Sequence, residues 1–352
     1  MIIPGIVRYR KHSILWSKCM IRFGIIGMGI RGKLFASTIK QSAYAEVAAV
    51  CDISEENAAN ARKSYNVNSY TDYHLMLDKE KLDAVIIATP DFLHRDAVTA
   101  AADKVKNIMI EKPLSTSVAE CSLMCSVLKK NNVKCLIAFE NRWSLPFISV
   151  KDRIDSGTTG EVLHINAKLN NTLFVPAKML PWAKDSTPAW FLFPHLVDMA
   201  CWLSGKTVEK VYASGFKKKL VSMGIDTYDS ISSLMTFSDG TTAQLSSSWI
   251  LPETMPVVAD QKMDLICANE AVSIDLMPQM ISIAGSAYNY PRVLSTQING
   301  KLNGPPSLML HSFIDNIRNN TAPLANEDDG MMNTRIIDAV HESLVSGNPV
   351  HI

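Results

Sequence analysis

The chain has 352 residues, 47% of them apolar and 20% charged, with a formal net charge of +1. That length suits two domains, or three, of an ordinary soluble globular protein. The near-zero charge excludes an electrostatic pull toward nucleic acid or an anionic membrane, and no stretch approaches the roughly 18 consecutive apolar residues of a membrane span.

Residues 1–19 differ from the rest. They carry Arg8, Arg10, Lys11 and Lys18 and no acid. A basic, acid-poor leader is one reading. A secretory signal fits poorly, because no long apolar core follows the charges. The reading adopted is that Met20 is the natural start and that 1–19 is a loosely packed extension.

From Arg22 the pattern is that of a nucleotide-binding unit. Phe23 to Ile26 reads as a buried parallel strand. It runs into Gly27-Met28-Gly29-Ile30-Arg31-Gly32, a G-x-G-x-x-G, and then Leu34, Phe35 and Ile39 at helical spacing. A second apolar run, Val47 to Val50, ends at Asp52, twenty residues after Gly32. Gly27 permits the turn, Gly29 lets a pyrophosphate approach the backbone, and Gly32 lets helix and sheet pack closely. The helix start offers unpaired N–H groups to phosphates. Asp52 is placed to accept hydrogen bonds from a ribose and to repel a 2′-phosphate, favouring NAD. Arg31 and Lys63 keep NADP open.

Ser54 caps the next helix, which runs to about Ser64. Tyr70 to Leu77 suits a small helix. Ala84 to Ala88 is a strand that stops at Thr89-Pro90-Asp91. His94 opens a helix to about Val105. Ile108 to Ile110 is a strand ending in Glu111-Lys112-Pro113, and Ser115 or Thr116 caps the following helix to near Asn131. Val133 to Phe139 is a strand, followed by Glu140-Asn141-Arg142-Trp143. Alternating strands and helices predict a doubly wound parallel sheet with ligands at the strand C-terminal ends. Gly27, Asp52, Thr89 and Lys112 lie at such ends.

Beyond residue 145 the period changes. Pro146 to Ser156 reads as helix. Val162–Leu169, Val208–Phe216, Ile231–Phe237, Thr241–Trp249, Met263–Ala268 and Val272–Leu276 read as strands, with a hairpin turn at Asp239-Gly240. Met331 to Val345 is a closing helix that ends at Gly347. The fold class is therefore α/β: an N-terminal Rossmann domain (20–142) and a C-terminal α+β domain (143–352). The second domain's open-faced sheet is mainly antiparallel, with helices on one face.

Trp190 to Gly205 reads as a capped helix with Pro194 at its first position. That places His195 in the first turn, where the helix dipole disfavours imidazolium and leaves a neutral base. Asp198 follows on the same face.

With the glycine turn, Glu111-Lys112-Pro113 and His195-x-x-Asp198 in view, the chain resembles the glucose-fructose oxidoreductase / inositol 2-dehydrogenase / rhizopine-catabolism family of NAD(P)-dependent oxidoreductases. The resemblance runs from Met20 to Ile352. It includes AVIIATPDFLH, IEKPLS, Asn141-Arg142 and the closing AVHESLVSGNPVHI. It implies a Lys112 that points into the cleft beside the nicotinamide and the reacting hydroxyl, a Pro113 that is often cis, and a His195 that accepts the proton. It also implies a homo-oligomer, dimer or tetramer, built through the C-terminal sheet. Many relatives place an aspartate four residues before the histidine, in D-x-G-x-H. Here that position is Phe191 and the glycine position is Phe193. Asp198 is one substitute; the alternative is a site of Lys112 and His195 alone.

The candidate cofactor residues are Gly27, Met28, Gly29, Ile30, Arg31, Asp52, Thr89, Pro90, His94, Glu111 and Lys112. The catalytic candidates are Lys112 and His195. Asp198, Arg142 and Trp182 are substrate-side candidates; Arg142 also reads as a salt-bridge residue at the domain junction, and Trp182 and Trp190 as either sugar platforms or core. Seven irregularly spaced cysteines and no metal-ligand spacing suggest reduced thiols, a cytoplasmic protein and no metal. The expected activity is hydride transfer between NAD(P) and a secondary alcohol or ketone of a sugar or polyol. Two alternatives are an NAD-dependent glycoside hydrolase of the same fold and a non-catalytic dinucleotide-binding regulator.

Overall fold

The computed structural model describes residues 20–278, 281–285, 288–290 and 296–352. The extension 1–19 lies outside the described residues. Six strands form the first sheet: β1 (Ile21–Ile26), β2 (Ala45–Cys51), β3 (Asn68–Tyr70), β4 (Ala84–Ile87), β5 (Asn107–Ile110) and β6 (Lys134–Ile137). Their order is β3-β2-β1-β4-β5-β6 and every adjacent pair is parallel. Helices α1 (Ile30–Ile39), α2 (Glu55–Tyr65), α3 (Tyr73–Lys79), α4 (His94–Ala102) and α5 (Val118–Lys130) connect them. Strand order reverses between β1 and β4, and a ligand crevice opens at that point above the strand C-termini.

Two local expectations change. β3 is a strand that the sequence reading passed over; it has three polar, incompletely buried residues at the sheet edge, too few for a periodic signal. The α5 cap is Ser117, which accepts the Glu120 N–H, while Ser115 bonds the Glu120 carboxylate instead.

The second sheet holds β7 (Val162–Thr172), β8 (Val208–Phe216), β9 (Ser230–Phe237), β10 (Thr242–Leu251), β11 (Ala259–Cys267), β12 (Ala271–Asp275) and a short C-terminal strand, Val350–His351. The order is β12-β11-β7-β10-β9-β8 and then the C-terminal strand, antiparallel throughout except between β7 and β10. Inward residues such as Val211, Ile231, Phe237 and Trp249 form a core with Phe193, Leu196 and Met199 of α7 (Pro188–Ser204) and with Ile336, Ile337 and Val340 of α10 (Glu327–Ser346). On the other face Ser214, Ser232 and Ser246 stand side by side on β8, β9 and β10. Helix α6 (Leu145–Asp155) enters this domain, and α8 (Lys219–Ser222) lies after β8.

Helix α9 (Pro305–Asn319) was not anticipated. Its Met309, Leu310, Phe313 and Ile314 join the first domain's core, so the chain returns to the Rossmann unit before α10. Helix α10 starts four residues earlier than its apolar pattern suggested, because Asn326 and Asp329 form a reciprocal capping box.

Candidate functional site

The glycine turn is shaped by three close approaches. Gly27 has φ of +92°, and a Cβ there would lie 2.6 Å from the Ala88 carbonyl oxygen. A Cβ on Gly32 would lie 1.9 Å from the Gly27 oxygen, so only glycine lets α1 sit this close to the turn. Gly29 is different: a Cβ there would meet nothing within 4 Å, because the residue faces open space at the start of α1. No side chain caps this helix, so its first N–H groups point at the cavity ready for an anion. Asp52 braces the turn from β2: Oδ2 accepts the Met28 N–H at 2.7 Å and Oδ1 the Ser54 N–H at 2.9 Å. Met28 therefore departs from its expected role. Its side chain is fully buried and its N–H belongs to Asp52.

Above the turn lies a cavity of about 1280 Å³, more than the usual size for a drug-sized ligand and large enough for a dinucleotide with a second reactant. Gly27, Gly29, Ile30, Asp52, Thr89 and Pro90 line it, and Lys112, His195, Phe191 and Trp182 line the same space. The structure thus brings most of the candidate residues to one space.

Lys112 follows β5 and precedes a cis Lys112–Pro113 bond. Its Nζ donates to the Phe191 carbonyl at 3.0 Å and stands 4.6 Å from the centre of the Phe191 ring. The position where many relatives carry a carboxylate therefore meets the ammonium with a backbone oxygen and a π face. Burial lowers the Lys112 pKa, against the opposing pull of Glu111 and Asp91.

His195 lies in the cavity wall with its Nδ1 buried and without a partner. Burial, and then the Lys112 ammonium, lower its pKa to about 3. The imidazole is neutral, as expected, but for a different reason. Helix α7 begins at Pro188, with Thr187 accepting the Trp190 N–H, so His195 is in the helix interior and gains nothing from the N-terminal dipole. Two prolines compete as helix starts in this stretch, and Thr187-Pro188 supplies the cap that Pro194 lacks.

Arg31 spans two carboxylates. Its Nε bonds Glu111 at 2.5 Å and its Nη2 bonds Glu140 at 2.7 Å. Burial alone would raise the Glu140 carboxyl, but Arg31, with His195 and Lys112, holds it below the ordinary range. With two anions already on it, Arg31 is poorly placed to read a 2′-phosphate.

Three expectations fail. Asp198 and Arg142 do not reach the cavity: they pair with each other, Nη2 to Oδ1 at 2.6 Å, both nearly inaccessible, and Asp329 bonds the same guanidinium at 3.0 Å. Arg142 is the junction salt bridge, and Asp198 is not the missing carboxylate. His94 is buried beneath the site. One ring nitrogen faces the Pro113 and Leu114 carbonyls at 3.0 and 3.2 Å, and the other faces Thr89 at 3.1 Å, so the ring ties two strand-end loops together. Trp190 is core, stacked on His341, whereas Trp182 stands in the cavity wall between Phe92 and Phe191.

One residue without an assigned role joins the site. Asp91 lines the cavity, nearly buried, and its carboxylate meets the Ser186 hydroxyl at 3.2 Å and the Phe92 N–H at 3.0 Å. Burial raises its pKa, with His94 and Lys112 opposing. Its signal was available: an acid immediately after a β4 terminus that already carried Thr89 and Pro90.

Comparison with known proteins agrees with this construction. Residues 21–139 match the model of an oxidoreductase family with an NAD-binding Rossmann fold, and residues 147–272 match the GFO/IDH/MocA C-terminal domain. Inositol 2-dehydrogenase of Salmonella typhimurium (strain LT2) is 31% identical over 202 residues, 54% of this chain and 57% of that protein. The matched part thus spans a little over half the length of that curated relative. The scyllo-inositol 2-dehydrogenase (NAD(+)) of Bacillus subtilis (strain 168) is 24% identical over 94% of this chain and 96% of its own length. The crystal structure of scyllo-inositol dehydrogenase from Lactobacillus casei with bound NAD(H) and scyllo-inositol superposes with a TM-score of 0.81, covering 94% of this chain and 99% of that one at 20% identity. That likeness is one of fold. Together with the glycine turn, the Lys112 cleft and the seven-stranded second sheet, the two matched models establish that the chain belongs to the Gfo/Idh/MocA family of oxidoreductases.

Proposed function

We propose that the protein is an NAD-dependent dehydrogenase that moves hydride between the nicotinamide and a secondary alcohol carbon of a sugar, polyol or sugar derivative. The observation that carries this reading is the shared cavity: Lys112 and His195, from separate domains, line the same space as the glycine turn. The dinucleotide fits there because Gly29 leaves the backbone open and α1 is uncapped. When bound, NAD supplies the hydride acceptor.

The remaining work falls to side chains. From its place in the cavity wall, neutral His195 takes the hydroxyl proton as the C–H hydride departs. The Lys112 ammonium polarises the same oxygen and stabilises alkoxide character. The Phe191 carbonyl fixes that ammonium's direction. Asp52 and the occupied Arg31 favour NAD over NADP. The relatives' named inositol substrates support a hydroxylated ring as the general substrate class.

We further place the protein in the cytoplasm as a homo-oligomer joined through the open face of the second sheet. Six unpaired cysteines among the described residues support the first statement, and the uncovered β8–β9–β10 face supports the second. Among the described residues no helix is long and apolar enough to cross a membrane.

The test is NADH formation over a panel of sugars, polyols and their derivatives, with free-sugar release assayed in parallel. Net NADH that is lost in Lys112→Met while NAD still binds supports the reading. Sugar release from glycosides without net NADH, or turnover indifferent to Lys112→Met, overturns it.

A further inference from the structure

The two walls of the cavity differ in how many hydroxyl groups they can satisfy. From the second domain the wall is Met179, Leu180, Pro181, Trp182, Phe191 and His195. Among these side chains only the His195 imidazole and the Trp182 indole N–H can form hydrogen bonds. Phe92, in the short turn just before α4, extends the apolar surface and is 38% exposed. Its ring stands edge-on to Trp182 at 6.1 Å, Trp182 to Phe191 at 6.0 Å, and Phe191 to Trp249 at 5.8 Å. Edge-to-face contacts of this kind fix ring orientations, so the wall is pre-formed.

A fully hydroxylated ring carries a hydroxyl on every carbon. Lys112, His195 and Asp91 can serve those on one side. Hydroxyls on the opposite side would lose water against methionine, leucine, proline and aromatic carbon, with the Trp182 indole N–H as the one side-chain partner left to them, a net cost for each further hydroxyl. Phe191 turns its ring toward Lys112 and supplies no carboxylate there. A substrate with an apolar flank has the reverse balance: its flank covers rings that are otherwise left to water.

We infer that the substrate is amphipathic: a hydroxylated ring whose reacting edge faces Lys112, His195 and Asp91, and which carries an apolar substituent, aryl, alkyl or deoxy, against Trp182, Phe191 and Phe92. Free polyols bind this chain less tightly than rings that carry such a substituent. The inference rests on the dehydrogenase reading of the same site but concerns binding, which is measured separately from turnover.

The experiment uses the full-length protein loaded with NADH. Dissociation constants are measured by calorimetry for myo-inositol, glucose, methyl β-glucoside and phenyl β-glucoside; NADH formation from the NAD-loaded protein is recorded on the same ligands. The expected series has phenyl binding tighter than methyl and methyl tighter than glucose or inositol, by about tenfold or more per apolar step. Trp182→Ala should erase most of the phenyl preference, and Trp182→Phe should keep it. Phe191→Asp should weaken the phenyl ligand and strengthen the free polyols. Equal affinities across the series, binding by none of the four, or a preference for free polyols overturns the inference. If the affinity series holds and no ligand yields NADH, the dehydrogenase reading falls and the amphipathic site stands. If inositol is bound and oxidised best, the dehydrogenase reading stands and this inference falls.

Discussion

The two walls of the cavity are a natural comparison. The first domain's wall presents Asp52, Asp91, Glu111, Lys112 and Glu140 at the ends of strands that are themselves rigid and buried. The second domain's wall presents a loop and one helix face, with His195 as its single titratable side chain. On the proposed reading, the open backbone at the glycine turn receives the cofactor, and the apolar second wall meets the other reactant. The difference separates what the family shares, a way of placing a dinucleotide, from what an individual member can vary, the surface that meets its substrate.

Lys112 belongs to the first wall but points at the second, so its removal is the strongest challenge to that division. Lys112→Met should lower kcat/KM by about 10³-fold, as expected for loss of a group aimed at a developing alkoxide. NAD affinity, measured by titration calorimetry, should change by less than about threefold, a free-energy difference under about 0.7 kcal/mol. An equal loss in both would make Lys112 a cofactor ligand and blur the two walls into one.

The buried pair of Arg142 and Asp198 joins the domains without lining the cavity. Arg142→Met leaves Asp198 buried and unpaired, and should destabilise the protein by about 3 kcal/mol or more in chemical denaturation. Arg142→Met with Asp198→Leu should recover part of that loss, because both charges are then gone. A variant that keeps its stability but loses activity would move this pair from scaffold to site.

His195 sharpens the contrast through pH. Its folded imidazole takes a proton only near pH 3, whereas an unfolded one does so near 6.5. Between those values the unfolded chain binds the extra proton, so stability rises with pH across this window and is unaffected by this residue above it. His195→Gln should reduce that slope, leaving the share carried by buried His341 and half-buried His311, seen as melting temperatures compared at intervals from pH 4 to 7. In kinetics the acid limb of kcat/KM should show no inflection near 6.5. An inflection there would mean that the cavity wall leaves the ring open to solvent.

The unequal legibility of the two walls has the same physical origin. Strand, glycine turn, α1, β2 and Asp52 follow each other within 32 residues, so local spacing carried the first wall. The second wall depends on where α7 begins. Its residues are all buried or half-buried, which removes the amphipathic stripe that would mark its phase, and two prolines offered two starts. The Arg142–Asp198 contact lies across 56 residues and two domains, beyond any periodicity. Helix α9 did carry a signal, Met309, Leu310, Phe313 and Ile314 at helical spacing, but its partner is the distant first core. Lys112 and His195 were identified as a pair by resemblance to the family, and only coordinates placed the Phe191 carbonyl and ring against the Lys112 ammonium.

The smallest predicted effect tests whether the second wall is as rigid as its ring contacts imply. Thr187 caps α7, accepting the Trp190 N–H at 3.1 Å, and its hydroxyl also meets His341 at 2.8 Å. Thr187→Ala removes both contacts and should cost about 1 kcal/mol of stability. The first turn of α7 also aims the Phe191 carbonyl at Lys112. A frayed turn would loosen that acceptor, raising KM for the second reactant by a few-fold while leaving NAD affinity alone. Thr187→Ser, which keeps the hydroxyl, should restore both stability and KM. If Thr187→Ala changes neither, the packing of Trp190 against His341 is sufficient to hold the helix start, and the second wall is fixed by its core alone.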